Sequence, residues 1–200
     1  SIGQGYVLAS PLQLAVMTAR IATGREVTPR LSRLIDGVAQ PAGLGESLGI
    51  NENTLRRVRA SMNDVCNHRR GTAYRSRIID DAHKMAGKTG TSQVRRITPE
   101  ERAAGVTKNE DLPWERRDHA LFVGFAPYDN PRYAVSVVVE HGGGGSAAAA
   151  PIARDILLQA QYGGPPPLEA YPSGVRDKIA EQQRRIEARI PPGAKSRSRV

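Results

Sequence analysis

Two apolar stretches separated by five residues constrain the fold of this chain more than any other feature. Residues 119–126 and 132–140 each read as a strand, and Pro127-Tyr128-Asp129-Asn130-Pro131 between them is turn chemistry. The pair therefore predicts a hairpin. A third extended stretch, residues 82–94, comes before it. Consecutive strands of this kind pair antiparallel. Helical signals lie on both sides. Ser10-Pro11 is a hydroxyl cap with proline at the first helical position, and Gly24 is a natural stop. Residues 54–67 put Leu55, Val58, Met62, Val65 and Cys66 on one helical face. A last helix is expected over about residues 147–162, with Ile152, Ile156, Leu157 and Leu158. The order is that of an α+β fold, an antiparallel sheet with three strands present and helices packed on it.

The connections are equally telling. Residues 27–35 read as extended up to a turn at Asp36-Gly37, and residues 40–51 as a glycine-rich loop. Residues 95–118 carry six basic and six acidic side chains, a connection too polar to bury. Pro165-Pro166-Pro167 suggests a boundary, giving one domain over residues 1–162 and a Pro/Gly linker with a basic tail, helical in part, over 163–200.

Net charge is +9, and residues 172–200 contribute eight Lys or Arg against three acidic residues. The basic character thus belongs largely to the tail, and with no nucleic-acid motif present it reads as a solvated terminus. One cysteine, Cys66, excludes an internal disulfide, and its place on the apolar helix face makes it core rather than nucleophile. His68, His83, His119 and His141 lack partners at ligand spacing, so neither metal nor cofactor is expected. Trp114 stands alone in the charged loop. Gly142 to Gly145 lack the Gly-Lys-Ser/Thr ending of a P-loop and read as a mobile connection.

Chemistry concentrates at Lys88-Thr89-Gly90-Thr91. Strand alternation places the Thr89 and Thr91 side chains on one face. Two hydroxyls beside a cation can clamp a carboxylate, and a backbone N–H there can stabilise a developing oxyanion. Gly87 and Gly90 let another backbone approach closely. From these residues alone, an ordinary edge strand with a surface lysine is an equally good reading.

Ala86-Gly87-Lys88-Thr89-Gly90-Thr91-Ser92-Gln93-Val94 is similar to the third core strand of the class B penicillin-binding proteins. Ser1-Ile2-Gly3-Gln4-Gly5-Tyr6, followed by Ala9-Ser10-Pro11-Leu12-Gln13, resembles the segment after that family's Ser-x-Asn element. The glycine run, the Ala-Pro-Tyr-Asp-Asn-Pro turn and Ala149-Ala150-Pro151-Ile152-Ala153-Arg154 resemble the elongation-type branch, penicillin-binding protein 2. The resemblance implies a partial penicillin-binding/serine β-lactamase-like transpeptidase fold. It also implies a peptidoglycan D,D-transpeptidase that binds stem peptides and β-lactams, meets elongation-machinery membrane proteins, and works at the periplasmic face of a bacterial inner membrane with its anchor upstream. Lys88 would support proton and carboxylate electrostatics, Thr89 and Thr91 would bind the terminal carboxylate, with Gly90 between them, and the Thr91 N–H would complete the oxyanion hole.

One departure from the family is severe. Ser-x-x-Lys occurs nowhere in the 200 residues. Ser61-Met62-Asn63 has the Ser-x-Asn form, but on a helix Ser61 and Asn63 point about 160° apart. The expectation is a carboxyl-terminal part of a transpeptidase domain that lacks its nucleophile and is inactive by itself. The reading from another class is a basic module binding an anionic polymer or surface through its tail.

Overall fold

A computed structural model describes residues 7–40 and 43–189. Helix α1, Pro11–Thr23, begins at a capping box: Ser10 Oγ accepts from the Gln13 N–H, and the Gln13 side chain accepts from the Ser10 N–H. It ends where Gly24 turns left-handed. The stretch after it is extended only briefly. Leu34–Ile35 (β1) and Val38–Ala39 (β2) form a small exposed ribbon around the Asp36-Gly37 turn. Helix α2, Glu52–Asn67, buries Leu55, Met62 and Cys66. Strand β3, Ala86–Ser92, is shorter than expected, because residues 81–83 form a tight turn capped by Asp80. The charged connection contains a short helix, α3 (Pro99–Ala104), and the ion pair Arg95–Glu101 at 2.6 Å. The hairpin is β4, His119–Ala126, and β5, Tyr133–Val139.

The main sheet has the order β3-β4-β5, antiparallel throughout, with Lys88 opposite Val123 and Val123 opposite Ser136. Its two faces differ. One bears Ala86 and Phe125, which pack with Ala22 of α1 and Met62 of α2. The other bears Phe122, Val135 and Val137, which pack under helix α4 (Ala150–Tyr162) through Ala153, Leu157 and Leu158. Phe122 and Phe125 are fully buried on opposite faces. Each contributes about 1.5–3 kcal/mol relative to exposure, which holds β4 as the central strand. Ile152 and Ile156 turn outward, 43% and 48% exposed, so α4 is amphipathic with an imperfect polar side.

The chain beyond Pro167 packs back rather than standing off. The Ile79 N–H donates to Ala170 O at 2.8 Å, Tyr171 is buried, and Ile179 of helix α5 (Arg176–Arg189) joins the larger core cluster. The expected linker is therefore part of the packed body up to that helix. Ser1 to Tyr6 and residues 190–200 lie outside the described residues. Among the described residues no helix is long and apolar enough to cross a membrane.

Candidate active site on the edge strand

Strand β3 has β4 on one side and α2 on the other. Its start is pinned to the end of α2: Asn67 Nδ2 donates to Met85 O at 2.9 Å, and the Gly87 backbone hydrogen-bonds the Cys66 sulfur. In an antiparallel ladder, outward-facing backbone groups recur every second residue. With Gly87 turned toward α2, the N–H and C=O of Thr89 and Thr91 point to that same side, away from β4. Burial pushes the Cys66 thiol up to about 12, so it is a packing group rather than a nucleophile.

Lys88 lies on the Ala86 face and lines a groove of about 510 Å³ with Met17 and Ile21 of α1, Val58, Ser61 and Met62 of α2, and Val123. Its Nζ donates to Thr89 O at 2.7 Å, which folds the ammonium back onto the edge of its own strand. Thr89 and Thr91 project to the opposite face from Lys88. The motif thus straddles the edge, cation above and hydroxyls below, with backbone polar groups between them. Thr89 Oγ1 is 2.8 Å from Thr72 Oγ1.

Thr72 was not singled out in the sequence. It sits in the Gly71-Thr72-Ala73 turn, where Gly71 packs on the Asp64 and Val65 carbonyls so closely that any Cβ would collide with them. A hydroxyl inside a tight Gly-Thr-Ala turn is the one signal that marked it.

The glycine run is also more than a connection. Gly145 is buried at the start of a π-type turn, Gly145–Ala149, which leads into α4. A Cβ there would strike the Leu121 and Gly90 carbonyl oxygens, so this glycine seats the helix directly on the β3–β4 backbones. Gly90 is consequently backed by protein on the face away from Lys88.

Ser61 shares the groove with Lys88, yet its hydroxyl donates back to Arg57 O at 2.9 Å. Asn63 Oδ1 accepts from Asn67 Nδ2 at 2.8 Å. Ser61 and Asn63 are not brought together. At the far end of β3, Trp114, alone in its sequence neighbourhood, joins two histidines. The Trp114 and His141 rings are 4.4 Å apart, and those of His119 and His141 are 4.7 Å apart. Because Arg117 O only accepts, the His141 Nδ1 beside it at 2.9 Å carries the proton. Among the described residues no three His, Cys, Asp or Glu side chains group to hold a metal ion.

An antiparallel sheet backed by helices, with Lys-Thr-Gly-Thr on its edge strand, carries the Lys-Thr-Gly element of the penicillin-recognising class. Residues 1–158 match the penicillin binding protein transpeptidase domain, and the chain belongs to that family. It is 34% identical to peptidoglycan D,D-transpeptidase MrdA of Haemophilus influenzae, over 94% of this chain and 29% of that protein. It is 40% identical to the MrdA of Acinetobacter baumannii, over 71% of this chain and 21% of that protein. The crystal structure of Pseudomonas aeruginosa PBP2 in complex with WCK 5153 superposes with a TM-score of 0.61 at 36% identity, covering 80% of this chain and 32% of that one. Helicobacter pylori PBP2, solved in complex with MreC, gives 0.61 at 35% identity, covering 80% of this chain and 26% of that one. The chain therefore spans less than a third of the length of each of these relatives.

Proposed function

We propose that the chain is the carboxyl-terminal part of a peptidoglycan D,D-transpeptidase domain of the elongation type, and that β3 is its substrate-binding wall. The observation that carries this is the placing of Lys-Thr-Gly-Thr on the outer strand of the sheet, with Lys88 lining a groove between α1 and α2, in a chain of this family. The terminal carboxylate of a stem peptide lies against the Thr89 and Thr91 hydroxyls, and Lys88 turns from Thr89 O toward it. The Thr91 N–H receives the oxyanion that forms as the D-Ala-D-Ala carbonyl is attacked. The attacking group is a serine that is not among these 200 residues. Its hydroxyl oxygen forms an ester with the penultimate D-alanine as the terminal D-alanine departs, and an amine of a neighbouring stem peptide then attacks that ester, taking the acyl group and freeing the serine. β-Lactams acylate the same serine. By analogy with the Helicobacter pylori complex, an elongation-machinery membrane protein is the expected partner. The working place is the periplasmic face of the inner membrane, with the anchor outside these residues.

The test is labelling with a fluorescent penicillin. The 200-residue chain alone is expected to take no covalent label. Substituted for the corresponding segment of the Haemophilus influenzae relative, it is expected to restore labelling. In that chimera Lys88→Gln slows acylation by roughly 10²–10³-fold, the scale of losing one electrostatic stabiliser. Labelling of the isolated chain, or a Lys88→Gln chimera acylated at the parental rate, refutes the assignment.

A further inference from the structure

A cavity of about 740 Å³ opens between the turn after α2, the start of α4 and helix α5. Four cationic side chains line it, Arg69, Arg75, Arg154 and Lys178, against one acid, Asp155. Elsewhere the molecule pairs many of its cations: Arg95 with Glu101, and Arg184 and Arg185 with Glu181. Here Arg69, Arg75 and Lys178 have no hydrogen-bond or ion-pair partner among the described residues. Like charges gathered around one concavity repel, and a merely solvated basic face would let them splay apart.

Arg154 makes the stronger case. It is 3% exposed, its Nε donates to Asp155 Oδ1 at 2.8 Å, and its guanidinium lies 5.0 Å from the Tyr171 ring centroid. Neither amino nitrogen has an acceptor among the described residues. Among the described residues the sealed side-chain polar atoms without partners are Ser136 Oγ and Gln161 Oε1, so the Arg154 amino groups open to the cavity that Arg154 lines. A buried guanidinium with four unserved N–H donors at a cavity wall is a fork without its anion. The wall beside it is the first turn leading into α4, at Ser146, whose helix dipole adds positive potential.

We propose that this cavity binds a short peptide carrying two free carboxylates. Ile152, Val175 and Ile179 on its walls favour an organic acid over a bare phosphate, and its size suits several residues of peptide. Thr72 lines the cavity and also touches Thr89 across 2.8 Å, so the cavity's rim adjoins strand β3. The identity of that ligand as an acidic stem peptide rests on the transpeptidase reading.

The test is calorimetric titration of the chain, and of the chimera, with three probes. These are a tetrapeptide ending in D-Ala-D-Ala with two further carboxylates, its diamide twin, and inorganic pyrophosphate. The diacid is expected to bind at least about tenfold tighter than the diamide, with a preference that fades as salt rises. Arg75→Gln with Lys178→Gln, both at exposed positions and checked for an unchanged Tm, is expected to erase the preference. Equal affinity for diacid and diamide overturns the proposal, as does absence of binding by both. Pyrophosphate binding without diacid binding overturns it in favour of a phosphate site. Penicillin labelling depends on β3 and not on this discrimination. Loss of labelling with the preference intact would therefore sink the transpeptidase reading and leave the cavity standing, and the converse holds.

Discussion

Gly145 shapes the candidate site as much as Lys88 does, though it bears no chemistry. Its missing side chain lets the start of α4 rest on the Gly90 and Leu121 carbonyls, which fixes the back of the strand that carries Lys-Thr-Gly-Thr. Gly145→Ala is expected to cost about 1–3 kcal/mol, since the colliding atoms are backbone and cannot swing away. Thermal unfolding measures this, and an unchanged Tm would contradict the packing described. Cys66 offers a second residue-level readout. It is fully buried and its thiol is pushed up to about 12, so reaction with a water-soluble disulfide reagent at pH 7.5 is expected to track opening of the α2–β3 contact. Reaction in native buffer at the rate seen in urea would contradict this burial. At this scale Lys88, Thr89, Gly90 and Thr91 were legible because the signal is contiguous. Thr72 was not, because its contact with Thr89 spans seventeen residues and depends on where the turn after α2 lands. The glycine run was visible, but nothing local says which of its glycines touches another backbone.

Local chemistry set the ends of α1, where Ser10, Pro11, Gln13 and Gly24 act within one turn of themselves, and its limits follow from the sequence almost to the residue. Strand β3 is different: extended propensity ran back to residue 82, but Asp80 caps a tight turn there by accepting from the Ala82 N–H. That turn is also clasped to the end of α4. Tyr162 donates to Asp80 Oδ2 at 2.5 Å, His83 Nδ1 lies 2.7 Å from the same oxygen, and the His83 and Tyr162 rings stack at 4.4 Å. The Tyr162 hydrogen bond, with His83 adding to it, holds the Asp80 carboxyl below its ordinary 3.8. A carboxylate lowered in the folded state stabilises above its unfolded value, and that contribution disappears as pH falls through the lowered one. Asp80→Asn is therefore expected to lower the urea midpoint at pH 6, by a gap that narrows once pH falls below the ordinary 3.8. A gap that stays constant down to pH 3 would show that the clasp is not electrostatic. The sequence held no sign of this partnership, which joins residues 82 positions apart.

Over the described residues as a whole, the β5 edge of the main sheet has no neighbouring strand. Among the described residues β5 has a strand partner only in β4, so its far edge offers a row of unpaired backbone groups. Two side chains sharpen the exposure: Val138 is 37% exposed and Tyr133 36% exposed. Natural sheets blunt such edges with charge, proline or a covering element, and Tyr133–Val139 contains neither a charge nor a proline. The order of elements in the sequence foretold three strands, but pairing partners from other chain segments cannot be read from a strand's own residues. The isolated chain is therefore expected to self-associate through β5. Sedimentation velocity over about 5–100 μM should show the weight-average mass rising with concentration, at a scale where weak β-edge pairing becomes populated. Val138→Lys, which places a charge beside that edge, should return the chain to monomer without lowering its Tm. A monodisperse parent chain with a cooperative melt across that range would show the edge to be covered, and would remove any need for a further strand beside β5.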